Sequence, residues 1–170
     1  GCDNVCGSTL EDDECGVCGG DGSDDQGCGC FEAGPSGCDN TCGSTLVDDA
    51  CGVCGGDGPA DNFTCDGFQP TTTAALQTAV DLWVDDNATA LATYGEINTW
   101  DVSLITDMSE LFRDKTTFND DIGNWDVSSV TNMSYMFSGA DALSDGNKCA
   151  IQTSFSSIDA WLYDWSEFCV

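Results

Sequence analysis

The sequence predicts a small α+β protein in which two disulfide-rich, mostly irregular tandem repeats are followed by a short capped β-solenoid. Three observations lead to this prediction. A cysteine-dense segment occurs twice near the start of the 170-residue chain, the composition changes after residue 67, and a second repeat with regular apolar spacing fills the remainder. The predicted parts are two cysteine-rich repeats, 1–36 and 37–67, and a third domain, 68–170.

The cysteine-rich segment repeats almost unchanged. Residues 1–22 and 37–58 share 19 of 22 positions at an offset of 36, and between their cysteines they contain few apolar residues. Such a unit cannot bury a core of its own, so cross-links must stabilise it. Because each repeat has its own cysteine set, we expect disulfides local to each repeat.

Disulfide bonding is predicted for all the cysteines, which implies an oxidising compartment and an extracellular or cell-surface location. Their number is odd, so one of them bonds another chain, stays free or has lost its partner through processing. Connectivity is not readable, because six cysteines alone allow 15 pairings. The 13 cysteines are Cys2, Cys6, Cys15, Cys18, Cys28, Cys30, Cys38, Cys42, Cys51, Cys54, Cys65, Cys149 and Cys169.

A different pattern begins after the boundary segment FQPTTT at 68–73. Apolar residues at helical spacing predict a capping helix at 73–84. Residues 96–115 then align with 121–140, sharing nine of 20 positions at a period of 25. This length and apolar rhythm are typical of leucine-rich-repeat coils, which bury their faces against one another. We therefore predict leucine-rich-repeat-like coils at 96–120 and 121–145, and a C-terminal cap at 146–170 closed by Cys149 and Cys169.

The motifs of this region resemble a known family. FNDDI followed by NWDVSSVTNMSYMFSGA, at 118–140, and YGEINTWDVSLITDMSELF, at 94–112, resemble the repeats of BspA-like leucine-rich-repeat surface proteins. The resemblance covers about residues 70–170 and implies a surface protein without catalytic residues. The CGVCGGDG stretches resemble cysteine-rich tandem repeats of secreted proteins, including a segment of the secreted ADAMTS metalloproteases.

The charge of the chain excludes several partners. Three basic residues stand against 31 acidic ones, giving a net charge of −28, and residues 1–67 contain 15 acids and no Lys or Arg. Nucleic-acid binding requires cations and is excluded, and binding to anionic membranes is disfavoured. No apolar run of 18 residues occurs, so we expect no membrane insertion.

We expect no catalytic centre and no cofactor. The chain has no histidine, which excludes Ser–His and Cys–His catalysis, and acidic pairs such as Asp120 with Asp121 arise by chance among so many acids. Trp100 and Trp125 could form a platform for sugars, but stacked repeat positions favour a core role. The CGVC pairs could bind zinc, yet the surrounding cysteines favour disulfides. The acidic clusters could bind calcium, at Asp21, Asp24, Asp25 and Asp57. A solvated acidic surface is the interpretation that we prefer.

Glycans are the expected covalent additions. Sequons for N-glycosylation occur at Asn62, Asn87 and Asn132, and Thr71, Thr72 and Thr73 follow a proline as candidate O-glycosylation sites.

These features predict an extracellular structural protein, a disulfide-stabilised and glycosylated subunit that self-assembles into a surface filament or matrix, so that the main partner is another copy of itself. The alternatives are a monomeric adhesion or ligand-binding module, calcium-dependent or not, and a non-catalytic region of a larger secreted enzyme.

Overall fold

The structure is a computed structural model and describes residues 1–169. The chain divides into two compact units, Gly1–Pro59 and Ala60–Val170. We call them the cysteine-rich unit and the aromatic unit.

The cysteine-rich unit contains turns and isolated bridges instead of helices or strands over residues 1–59. Four antiparallel bridges link residues five or six positions apart: Asp12 with Cys18, Asp25 with Cys30, Ser36 with Thr41, and Asp48 with Cys54. Glycine and asparagine dominate the tight turns, and Asn4 and Asn40 adopt left-handed conformations at equivalent positions, with φ of 58° and 52°. With none of its residues in the apolar core, this unit depends on covalent links and turn hydrogen bonds.

The aromatic unit begins with a hairpin and two helices. Strands β1 (Phe63–Thr64) and β2 (Gly67–Phe68) pair antiparallel. Helix α1 (Thr73–Asp85) starts where the Thr72 hydroxyl accepts a hydrogen bond from the Ala75 N–H, and helix α2 (Asn87–Tyr94) follows directly. Helix α1 buries Leu76, Ala79, Val80 and Trp83, the residues at helical spacing in the sequence.

The remaining elements are short. A 3₁₀ turn spans Ile97–Thr99, helix α3 spans Asp145–Phe155, and a second 3₁₀ turn spans Ser166–Phe168. Between them, the two 25-residue repeats lie side by side. Backbone N–H groups of Met108, Glu110, Phe112 and Asp114 donate to carbonyls of the second repeat at 2.8–2.9 Å.

The predicted leucine-rich-repeat-like β-solenoid is wrong. In the described residues the only sheet is the two-stranded β1–β2 hairpin, and a single parallel bridge, between Asp107 and Asn132, joins the repeats. The physical reason is the backbone conformation. Glu110, Asp114 and Tyr135 are left-handed, and i→i+3 hydrogen bonds such as Arg113 N–H to Glu110 C=O turn the chain. The repeats therefore align as turns and cannot extend into strands.

The core of the aromatic unit forms where equivalent repeat residues meet. Trp100 stacks on Trp125 with ring centroids 6.2 Å apart, and Phe112 stacks on Phe137 at 5.3 Å. On one side, Thr73 and Gln77 of helix α1 donate hydrogen bonds to the Asp107 and Leu111 carbonyls of the first repeat. The chain after helix α3 supplies Tyr163, whose hydroxyl accepts a hydrogen bond from the Phe137 N–H in the second repeat. Side chains thus provide hydrogen-bond partners for backbone groups that would otherwise pair with a neighbouring repeat.

Candidate functional site: a disulfide framework with one free thiol

Each cysteine-rich repeat is closed by the same disulfide. Cys2 bonds Cys18 and Cys38 bonds Cys54, each with 16 residues of separation and a Cα–Cα distance of 5.4 Å. The backbone follows the same course in both. The N–H of Cys2 donates to the Leu10 carbonyl and that of Cys38 to the Leu46 carbonyl, both at 3.0 Å. The sequence repeat is therefore also a structural repeat.

A carboxylate lies at the centre of the first repeat. One Asp13 oxygen accepts the N–H groups of Cys15 and Val17 at 3.0 and 2.9 Å, and the other accepts the Gly22 N–H at 3.0 Å. The Val17 hydrogen bond, with those of Gly22 and Cys15, lowers the pKa of Asp13. The carboxylate gathers backbone that no apolar core would hold together.

Asp49 does the same in the second repeat. It accepts the N–H groups of Cys51, Val53 and Gly58 at 2.8–3.0 Å, and the Val53 hydrogen bond is the main reason why its pKa is lowered. The sequence-based reasoning missed these two residues, because it treated the acidic clusters as solvated surface or calcium ligands. The available signal was the position of Asp13 and Asp49, two residues before the first cysteine of each CGVC motif.

Not all disulfides are local. Cys15 bonds Cys30 within the first repeat, but Cys28 bonds Cys42, which lies in the second repeat. The prediction that each repeat closes its own disulfides is therefore wrong for Cys28 and Cys42. Cys51 and Cys65 are also disulfide-bonded, and Cys149 bonds Cys169 as proposed from the sequence.

One cysteine remains. Cys6 is exposed and carries a free thiol, whereas the other twelve cysteines are in disulfides. The structure thus identifies the odd cysteine that the count of 13 requires.

The CGVC cysteines are not available as zinc ligands here. Two groups, Cys2 with Asp12 and Cys18, and Cys38 with Asp48 and Cys54, place three potential ligand atoms within 4.8 Å of one another. The cysteines of both groups are already in disulfides, and zinc requires the thiolate.

The four candidate calcium ligands are not brought into a common group of three ligand atoms in the described residues. Asp21 and Asp25 accept hydrogen bonds from nearby backbone, the former from Ser23 N–H at 3.0 Å and the latter from Gly27 N–H at 2.8 Å. The backbone carbonyl of Asp24 accepts the Phe31 N–H, and Asp57 is exposed in the second repeat. Calcium binding at these residues stays a prediction.

The three sequon asparagines have different surroundings. Asn87 is exposed at the first turn of helix α2. Asn62 is partly buried, and its side-chain oxygen accepts two hydrogen bonds from Thr71, at 3.0 Å each. Asn132 lies in the second 25-residue repeat, where it is bridged to Asp107 of the first, and its side-chain oxygen accepts the Ser134 N–H at 3.1 Å. Of these, Asn87 offers the most accessible amide to a glycosyltransferase.

The candidate O-glycosylation sites all have structural contacts. Thr71 donates its hydroxyl hydrogen bond to Asn62, Thr72 caps helix α1, and Thr73 donates to the Asp107 carbonyl at 2.8 Å. Modification of any of these hydroxyls would compete with those contacts. Glycosylation at the asparagines and threonines stays a prediction.

The aromatic and acidic pairs noted in the sequence have structural roles. Trp100 and Trp125 are only 3% and 2% exposed, so they do not form a platform for sugars. Asp120 accepts a hydrogen bond from the Trp83 indole at 2.9 Å, and Asp121 accepts the Gly123 N–H at 2.7 Å. That the chain is not an enzyme stays a prediction.

Comparisons with known proteins give one match. Residues 83–164, which are 82 of the 170 residues, match the family model described as "Mycoplasma protein of unknown function, DUF285". The comparison with curated proteins found no match, and the comparison with solved structures found none either. The matched stretch lies inside the region that resembles BspA-like surface proteins. The more specific resemblances, to BspA-like leucine-rich repeats and to CGVCGGDG repeats, stay predictions.

The disulfides are typical of an extracellular or surface protein. Within residues 1–169, none of the helices has the length and apolar character needed to traverse a bilayer.

Proposed function

We propose that the chain is an extracellular structural protein, a disulfide-stabilised and glycosylated subunit that self-assembles into a surface filament or matrix. The observation that supports this most is the exposed thiol of Cys6 beside twelve cysteines that are already in disulfides. In an oxidising compartment an accessible thiol and a second thiol that reaches it are oxidised to one disulfide, and a small disulfide such as oxidised glutathione takes up the two protons and two electrons. Cys6 therefore serves as a covalent joint between this chain and a neighbour.

The cysteine-rich unit suits material that persists outside a cell. Four of its disulfides each span only 14 to 16 residues, so the backbone is fixed at short intervals. Proteases cleave exposed, locally mobile backbone, and short cross-linked loops restrict that mobility. The same links make the unit independent of a hydrophobic core.

Cations are the expected regulators of assembly. The chain has a net charge of −28, and the 15 acids of residues 1–67 are accompanied by no basic residue. Neighbouring copies therefore repel one another until salt or divalent cations reduce the repulsion. We expect the copies to associate most strongly in the presence of calcium, a hard cation that binds carboxylate oxygens.

The single thiol limits what disulfides alone can do. A chain with one free thiol forms one disulfide to a neighbour, so covalent linkage through residues 1–170 produces pairs. Longer assemblies need further, non-covalent contacts between copies. The proposal therefore has a covalent part, at Cys6, and a cation-dependent part.

The test uses the whole chain secreted from eukaryotic cells, with thiols alkylated at harvest. We expect a disulfide-linked dimer on non-reducing electrophoresis, and larger particles in calcium than in chelator by light scattering and negative-stain microscopy. Cys6→Ser, the matched variant, should lose the dimer and keep the same fold. A chain that stays monomeric in calcium under non-reducing conditions would reject the proposal.

A specific surface favours a second candidate, an adhesion module. Tyr135 and Leu162 are each 66% exposed and line one open cleft with Ser134, Ser138 and Tyr163. Aromatic and aliphatic side chains in such a position are typical of contact surfaces. If this function is right, Tyr135→Ala abolishes attachment of the chain to cells or matrix and leaves the Cys6 dimer unchanged.

A further inference from the structure

Cys6 and Cys42 occupy the same position in their repeats. They are 36 residues apart and stand in the matching sequences DNVCGSTL and DNTCGSTL. Two residues before each cysteine an asparagine is left-handed, and two residues after it a serine N–H donates to the carbonyl of the residue preceding the cysteine, at 3.1 Å in both repeats. The local backbone therefore follows a similar course around the two cysteines.

The wider frame is also shared. In each repeat the preceding cysteine is held by the disulfide of 16-residue separation, and a central aspartate accepts three backbone N–H groups. Cys6 and Cys42 are both exposed. The two cysteines differ in bonding state, and Ser36 contacts Thr41 and Ser44 in the second repeat only.

The partner of Cys42 shows what this position bonds. Cys42 is bonded to Cys28, with a Cα–Cα distance of 5.5 Å, so the disulfide runs from the end of one repeat to the start of the next. Cys28 lies between Gly27 and Gly29, which have φ of 96° and 114°. Glycine adopts such backbone conformations readily, whereas other residues do so only with strain. The sequence Gly-Cys-Gly therefore identifies the Cys28 end of the inter-repeat bond.

We infer that Cys6 forms an inter-repeat disulfide, and that its partner is the Gly-Cys-Gly cysteine of another repeat of the same type. Cys28 of this chain is already bonded to Cys42, so the partner belongs to a repeat outside residues 1–170. That repeat lies either in the same polypeptide or on another chain. The inference rests on the proposed function only in treating Cys6 as a joint.

The bond forms by ordinary thiol oxidation. The thiols of Cys6 and of the Gly-Cys-Gly cysteine lose two protons and two electrons and form one S–S bond. A disulfide oxidant of the secretory compartment, such as oxidised glutathione, takes up both electrons and both protons and leaves as two molecules of reduced glutathione. The reaction proceeds through a mixed disulfide between glutathione and one of the two cysteines.

The first experiment supplies a repeat of this type. Residues 1–36 are inserted once more before Gly1 of the full chain, which is secreted, alkylated and digested without reduction. We expect mass spectrometry to find the Cys6 peptide linked to the inserted Cys28, and the single free thiol to move to the inserted Cys6. If Cys6 and the inserted Cys28 are both alkylated, or bond other cysteines, the inference is wrong.

A matched variant replaces the inserted Cys28 by serine. It retains the inserted repeat and its internal disulfides, so a loss of the Cys6 linkage would come from the sulfur atom alone. We expect the Cys6 peptide of this variant to have no link to the inserted repeat and to be alkylated or bonded to a second copy, as in the unextended chain. If the linkage yield does not fall, the assignment of the partner is overturned.

Material from the natural source separates the two origins of the partner. A Cys6 peptide linked to a Gly-Cys-Gly peptide supports the inference, and non-reducing electrophoresis then shows whether the link lies within one chain or between two. A linkage to any other sequence setting opposes it.

The outcomes also separate the two proposals. An extended chain that forms the bond but stays monomeric in calcium rejects self-assembly alone, and an extended chain that assembles while Cys6 is alkylated rejects the partner alone.

Discussion

The two units of the chain are stabilised by different means. Residues 1–59 contain one aromatic residue, Phe31, and it is exposed, whereas all the other aromatic residues of the chain lie in the aromatic unit. The cysteine-rich unit is organised by disulfides and by the carboxylates of Asp13 and Asp49. The aromatic unit is organised by stacked rings and has one disulfide with both cysteines inside it, Cys149–Cys169. Covalent and polar links can replace a core where apolar residues are scarce.

The largest expected effect is that of reduction. Dithiothreitol should unfold the cysteine-rich unit and leave the core of the aromatic unit in place, because that core contains no cysteine. Hydrogen exchange should lose protection across residues 1–59, while tryptophan fluorescence, which reports on Trp83, Trp100, Trp125, Trp161 and Trp165, keeps its folded maximum. Loss of both signals at the same reductant concentration would contradict the comparison.

The aromatic unit should instead be sensitive to its core. Phe112 is fully buried and stacks on Phe118 and Phe137 at 4.2 and 5.3 Å. Phe112→Ala should lower its free energy of unfolding by about 3–5 kcal/mol, because it removes apolar burial and leaves a cavity. Thermal unfolding followed by tryptophan fluorescence measures this. The control is Leu104→Ala at a half-exposed position, with an expected effect of about 0.5 kcal/mol or less.

The disulfide of the aromatic unit should matter less than its core. Replacing Cys149 and Cys169 together by alanine opens a loop of 20 residues, which costs about 3 kcal/mol by loop entropy. Denaturant unfolding under non-reducing conditions gives the value. Cys6→Ala removes a cysteine without removing a disulfide within the chain and should leave the midpoint unchanged. An equal effect of both variants would show that the bridge adds nothing to stability.

The smallest expected effect concerns pH and the cysteine-rich unit. The folded-state pKa values of Asp13 and Asp49 lie below the ordinary 3.8, so the unfolded chain binds protons first as the pH falls. The stability from these carboxylates is present above pH 3.8 and is lost as the pH falls through the lowered pKa values. Hydrogen exchange of residues 1–59 at pH 5 and pH 2.5 should show reduced protection at the lower pH.

The matched test of this pH dependence is a pair of double variants. Asp13→Asn with Asp49→Asn should flatten the pH dependence, because the amide does not titrate and cannot accept all three N–H groups equally well. Asp12→Asn with Asp48→Asn changes the neighbouring exposed acids and should keep the pH dependence. If both double variants behave alike, the central carboxylates are not its source.

Parts of this structure follow directly from sequence patterns. The apolar spacing of Leu76, Ala79, Val80 and Trp83 predicts a helix, and the structure has helix α1 at Thr73–Asp85. The repeat period pairs Trp100 with Trp125, and the rings stack. Both patterns are regular spacings of apolar residues, which can be read from the sequence and indicate buried side chains. Cysteine density likewise predicts a disulfide-rich unit, and the disulfide bonding of all its cysteines except Cys6 confirms this.

Other parts depend on backbone conformation, which the pattern of apolar residues does not state. The β-solenoid prediction failed because Glu110 and Tyr135 are left-handed, although neither is glycine or asparagine. The bond between Cys28 and Cys42 could not be chosen among the pairings, since spacing alone does not say that a repeat bonds the next one. The role of Asp13 could not be predicted from composition, because its carboxylate oxygens accept hydrogen bonds from backbone N–H groups. The identity of the side chains does not reveal which backbone groups these are.

The left-handed turns also bear on which length changes the chain would tolerate. Glu110 and Tyr135 have φ of 59° and 58°, and Asp114 and Gly139 have φ of 57° and 78°, so each turn recurs after 25 residues. Loss of one residue between Glu110 and Tyr135 would move buried Met136 into the second left-handed position and would turn its side chain out of the core. The fold should therefore tolerate the insertion or deletion of a whole repeat in this stretch but not of a single residue. The length of the chain can then change here only by whole repeats.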